Sequence, residues 1–111
     1  MTKKKITVLG VEYDYIEDTQ ENLGFKDANI SGRQSGHDKT IEIVTNPYDG
    51  MDAHLVPDNQ QSYIKQTKRH EIIHAFFDES AAHPMESEPI VEWFACMFPK
   101  MLTAFQEVDA L

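Results

Sequence analysis

This 111-residue chain has a single cysteine and about half as many basic as acidic residues, and each shortfall excludes something. The lone Cys96 cannot close a disulfide within the chain, so this is no disulfide-stapled secreted scaffold. Its thiol reads as packed or half-buried. Ten Lys and Arg stand against nineteen Asp and Glu, a net charge of −9. Direct nucleic-acid binding, which runs on clustered cations, is disfavoured, while electrostatic attraction of a basic partner is allowed. No apolar run approaches the roughly 18 residues of a membrane span. Lys3-Lys4-Lys5 leads into a strand pattern rather than the apolar core of a signal peptide, so a cytoplasmic protein is expected. Internal repeats and low-complexity linkers are also missing. What remains, 41% hydrophobic with a mean hydropathy of −0.49, is the composition of one soluble domain over residues 1–111 with a single modest core.

The N-terminal half has the alternation of strands. Ile6, Val8, Val11, Tyr13 and Tyr15 alternate in two registers that Gly10 interrupts, as a turn or bulge would. Residues 18–24 read as a polar turn, 25–30 as a weak second strand, and 31–38 as a turn bearing Gly and Ser. Residues 40–45 are the strongest strand, stopped by Asn46-Pro47. A loop rich in Asp and Gly follows to residue 56.

Residues 60–78 contain no Gly or Pro, and Asp58 or Asn59 can cap them, which predicts one helix of about five turns. Within it stands His70-Glu71-Ile72-Ile73-His74. Histidines four apart lie on one face, about 5–6 Å between Cβ atoms, a span over which two imidazoles reach one zinc at about 2.0–2.1 Å each. Glu71, about 100° around the helix, can reach a water on that metal without being a ligand. At 100° per residue Ile72, Ile73, Phe76 and Phe77 fall on the opposite side, which predicts that this side is buried in the core. Tyr63, Thr67 and Asp78 fall near the motif, placed to touch substrate or orient a ligand.

A catalytic zinc takes three protein ligands and keeps one position open. A second helix is expected over residues 87–108, with Ser87 as its cap and Pro89 in the first turn. Ile90, Val91, Phe94, Phe98, Met101, Leu102 and Phe105 give it an apolar stripe. Glu88, Glu92 and Ala95 share another face. Two carboxylates four apart suit one as ligand and one as acceptor of a hydrogen bond from a ligand imidazole. Ala95 permits close approach of the helices, and Pro99 must kink or end this helix unless its missing hydrogen bond is absorbed locally.

Together, the run from His70 to Phe76, the later Glu88-x-x-x-Glu92-Trp93-Phe94-Ala95 and Phe98-Pro99-Lys100 resemble small gluzincin-type metallopeptidases, of the ImmA/IrrE-related and minigluzincin-like kind found in phages and prophages. The resemblance covers residues 40–105. It implies a zincin-like α+β fold, here a three-stranded antiparallel sheet followed by the H-E-x-x-H helix and a C-terminal glutamate helix. It further implies Zn2+ on His70, His74 and Glu88, with Glu92 the supporting acid. Glu92 stands where aspartate is usual, and the interval from His74 to Glu88 is short, so Glu92 as the third ligand stays open.

The function that follows is a zinc-dependent endopeptidase acting on a peptide or protein substrate, such as a phage or host regulatory protein. Glu71 is its general base, and the edge of strand 40–45 is expected to hold extended substrate by strand addition. Tyr63, His54 and His83 are the candidates to stabilise an oxyanion, and His37 reads as solvent-exposed. A different class of function is a non-catalytic zinc-binding module that docks on a host protein. An acidic decoy for a nucleic-acid-binding protein rests on charge alone.

Overall fold

The structure, a computed structural model, describes residues 1–25 and 30–111. Strands β1 (Thr2–Val8) and β2 (Val11–Asp18) form a hairpin in which Val8 pairs with Val11. Leu9 and Gly10 make the two-residue turn, with φ of 50° and 83°. Positive φ at both positions gives the turn whose twist matches the strands, so Gly10 marks a hairpin tip. Where a polar turn was expected, Thr19 caps a short helix α1 (Gln20–Leu23), its hydroxyl accepting from the Asn22 amide at 3.2 Å, and Gly24 closes it at φ 77°. The strand expected over 25–30 falls mostly on residues outside those described.

The sheet corrects the sequence expectation in number and direction. β3 (Gly32–Ser35) lies inside the segment read as a turn and pairs antiparallel with β4 (Thr40–Val44), which in turn pairs parallel with β2. The sheet is therefore four-stranded and mixed, in the order β1-β2-β4-β3. β3 is short and polar, held by backbone pairing rather than by strand-forming side chains, so its propensity was silent. β4, with Ile41, Ile43 and Val44 buried, is an inner strand with both sides paired. It cannot offer an edge to a substrate; among the described residues the edge strand on that side is β3.

Helix α2 (Gln60–Asp78) has the predicted bounds, and the Asn59 side chain caps it by accepting from the Ser62 amide at 3.0 Å. The face it buries is not the one its pattern suggested. Ile64, Glu71 and Ala75 are its buried residues, and of the expected apolar face only Ile72 packs against the core of Val8, Tyr13, Tyr15, Ile41 and Ile43. Phe76 is 42% exposed. Polar bonds fix this choice of face. The Tyr13 hydroxyl donates to Glu79 at 2.8 Å, the Gln34 amide donates to Asp78 at 2.7 Å, and Lys68 pairs with Glu17 at 3.0 Å. Lys39 also pairs with Glu79. At Gly32 a Cβ would come within 2.9 Å of Thr67 Cγ2 and 3.1 Å of Glu71 Cγ. Hydrogen at that position is what lets α2 lie down on β3.

Helix α3 (Glu88–Glu107) packs on α2 through the fully buried Val91 and Ala95, with Ser87 as its cap. It runs on through Pro99. That proline has no N–H to give to the carbonyl four residues back, Ala95. The Arg69 Nε donates to that same oxygen at 2.6 Å. The bond the proline forfeits is thus supplied across the helix interface by α2.

Arg69→Met should destabilise the chain by about 1–3 kcal/mol, the cost of a stranded carbonyl. In a Pro99→Ala background most of that loss should vanish, because alanine at that position restores the missing N–H donor. Urea denaturation of the four proteins in this cycle measures the coupling; equal losses in both backgrounds would contradict it.

Candidate metal centre

His70 and His74 project from α2 toward the first turn of α3, each with 16% of its side chain exposed. Their Nε2 atoms lie 3.2 Å apart. The Glu88 carboxylate closes the triangle, with one oxygen 3.1 Å from His70 Nε2 and the other 2.7 Å from His74 Nε2. Ligand atoms around a tetrahedral zinc with bonds of 2.0–2.1 Å stand about 3.3 Å apart. The nitrogen spacing and the longer His70–Glu88 distance match that spacing, and the two-imidazole, one-carboxylate donor set suits the ion.

The outer nitrogens settle which protons are present. His70 Nδ1 sits 2.7 Å from a Glu92 oxygen, and His74 Nδ1 sits 2.5 Å from a Glu86 oxygen. A carboxylate only accepts, so each Nδ1 carries hydrogen and, in the neutral imidazole, each Nε2 presents a lone pair. Three electron-pair donors then converge on one point, an arrangement that a cation or an added proton relieves. Burial disfavours charge on His74, but its hydrogen bond to Glu86 and the charge of Glu88 outweigh that, and its pKa is raised. For Glu92, burial raises the pKa, and the hydrogen bonds from His70 and Gln66 outweigh it, so the net shift is down. The Gln66 amide and, at 3.6 Å, the Cys96 thiol both donate to Glu92. Cys96 is half-buried, as expected.

Of the residues singled out in the sequence, His70, His74, Glu88 and Glu92 come together. Glu88 takes the inner position and Glu92 an outer one. Sequence reading missed Glu86. It lies just before the cap of α3, in a stretch that looked like a polar connection, and only the turn at His83–Met85 brings it back against His74. Its other oxygen is 3.3 Å from His83 Nδ1, which also lies 3.2 Å from Asp78. His83 and Asp78 therefore belong to this outer network rather than to the inner face. His54, in the short 3-10 turn Ala53–Leu55, is exposed and not among the residues that line the cavity beside Glu71, and His37 is exposed.

Glu71 behaves differently from the other three acids. Glu86, Glu88 and Glu92 each touch an imidazole; Glu71 lies buried at 9% exposure, with its stem over Gly32. Burial raises its pKa most; the two histidines pull it down, and Glu88 and Glu92 push it up. With Ser31, Gly32, Tyr63, Gln66, Thr67, His70 and Glu92 it lines a polar cavity of about 230 Å³. The Tyr63 and Ser31 hydroxyls lie 2.8 Å apart there, and the Thr67 hydroxyl donates to the Tyr63 carbonyl at 3.1 Å.

A carboxyl whose folded-state pKa is raised stabilises the fold at acid pH, and that contribution is lost as pH rises through the raised value. Metal-free Glu71→Gln should therefore be more stable than the parent at neutral pH, and the gap should close as pH falls below Glu71's ordinary range near 4.5. Thermal melts across pH read this directly. If the centre takes zinc, Glu86→Gln and Glu92→Gln should each weaken its binding about 10–100-fold, since each loosens an imidazole that would hold the metal; competition with a chromogenic chelator measures it.

Compared with known proteins, the chain matches no family model, no curated protein and no solved structure.

Proposed function

We propose that this chain is a zinc-dependent metalloendopeptidase of the H-E-x-x-H, gluzincin-like type. The observation that carries the reading is the convergence of His70 Nε2, His74 Nε2 and Glu88 beside a carboxylate that no imidazole engages. His70, His74 and Glu88 would hold the zinc, which when bound supplies a Lewis acid and lowers the pKa of water from 15.7 toward about 7.

The rest of the chemistry falls to the chain itself. Glu71, with its pKa raised by burial, accepts the proton of the attacking water on its carboxylate and delivers it to the leaving amine nitrogen. Glu92 and Glu86 hold the two imidazoles in the tautomer that leaves Nε2 free. The Tyr63 hydroxyl, in the same cavity, is the candidate donor to the developing oxyanion. Substrate runs extended along β3, the edge strand of the sheet among the described residues, with a side chain entering the polar cavity.

A non-catalytic zinc module that docks on a protein is the second reading. A zinc that serves folding alone is closed by protein ligands. The cavity that opens beside His70 and Glu71 favours turnover over that reading.

Glu71→Gln should retain stoichiometric zinc while its hydrolysis of an unfolded protein such as casein falls about 10²–10⁴-fold. His70→Ala should lose the zinc itself. Metal analysis beside a fluorescent casein assay checks both, and undiminished cleavage by Glu71→Gln would sink the assignment.

A further inference from the structure

A second group of metal-ligating side chains lies on the outer side of the centre, where α2 ends. Asp78 is the last residue of α2, His83 opens the 3-10 turn His83–Met85, and Glu86 follows that turn. Residues three apart on such a turn stack on one side, so His83 and Glu86 meet the helix end together. His83 Nδ1 lies 3.2 Å from one Asp78 oxygen and 3.3 Å from one Glu86 oxygen. The three ligand atoms all fall within 4.8 Å of one another.

Spacing and anchoring separate this cluster from a surface ion pair. A charged imidazole draws a carboxylate to hydrogen-bond distance, about 2.7–2.9 Å, as Glu92 stands 2.7 Å from His70. At 3.2 and 3.3 Å the outer atoms stand instead at the roughly 3.3 Å spacing of ligands around one tetrahedral zinc. Both carboxylates are also held in place. The other oxygen of Asp78 accepts from the Gln34 amide at 2.7 Å, and the other oxygen of Glu86 accepts from His74 Nδ1 at 2.5 Å. Each acid is thus fixed by one oxygen and turns the other toward His83, as metal-binding carboxylates are oriented by their outer partners. The last turn of α2 carries no basic residue to answer the partial negative charge of the helix end. With the His83 proton on Nε2, Nδ1 offers a lone pair, and one nitrogen converges with two oxygens. An imidazole in the set suits a first-row ion such as zinc better than calcium or magnesium, which take oxygen donors.

We propose that Asp78, His83 and Glu86 form a second divalent-cation site, for zinc or a similar first-row ion, that fastens the connection between α2 and α3 to the end of α2. It does not depend on the inner centre being catalytic, although Glu86 serves both. The full chain, dialysed against excess Zn2+ and read by metal analysis, should hold two ions. His83→Ala, at a side chain 62% exposed, should hold one with unchanged circular dichroism. So should Asp78→Asn, whose amide oxygen can still accept from Gln34. His70→Ala should lose the inner ion and keep this one, while Glu86→Gln should weaken both. A chain that holds a single zinc untouched by His83→Ala overturns the proposal and leaves the inner centre standing. A second zinc that survives both His83→Ala and Asp78→Asn overturns it as well. A single zinc that is lost with His83→Ala and indifferent to His70→Ala supports the outer site and removes the inner one.

Discussion

The placement of α2 between the sheet and α3 is the constraint on which the rest of this structure depends. One side of the helix must lie close enough to β3 that Gly32 has room only for hydrogen, and another must present two imidazoles to the first turn of α3. If α2 turned about its axis by one residue, His70 and His74 would move away from Glu88 and the buried Glu71 would leave its cavity. Rotation is resisted at the C-terminal end and in the middle. Tyr13, Gln34 and Lys39 hold Glu79 and Asp78, Glu17 holds Lys68, and Arg69 is tied to the Ala95 carbonyl that Pro99 leaves without a donor.

The site inherits its electrostatics from that placement. Four carboxylates gather around two histidines, a concentration of negative charge that favours a cation or a proton on the imidazoles. Their roles separate by position. Glu88 meets the inner nitrogens, Glu86 and Glu92 meet the outer ones, and Glu71 meets none, so chemically identical groups stand in different surroundings according to where the backbone puts them. Burying Glu71 disfavours its charged form and raises its affinity for a proton.

Strand and helix differ in how openly the sequence declares them. β4 was legible, and alternating Val, Ile and Tyr over residues 6–15 reported a half-buried pleat without deciding whether Gly10 was a turn between two strands or a bulge in one; α2 was legible to the residue because Asp58 or Asn59 can cap it and no Gly or Pro interrupts it. β3 was not, since a short Gly-Arg-Gln-Ser run with no apolar alternation looks like a turn. The parallel partnership of β2 and β4 was hidden too; no local pattern records which strand a chain will insert beside.

What the sequence determined by itself was the local chemistry. Histidines four apart on an uninterrupted helix, with glutamates four apart on the next, fix which groups share a face, because helical geometry is set by the backbone. Tertiary structure decided everything that depends on distance between elements. It chose Glu88 over Glu92 for the inner position, recruited Glu86 from a connection with no motif, and turned the apolar side of α2 toward an open groove rather than the core. The physical reason is the same in each case. A helix has several faces able to pack, and which one does is settled by complementary partners that lie far away in sequence, such as Gly32, Tyr13 and Ala95.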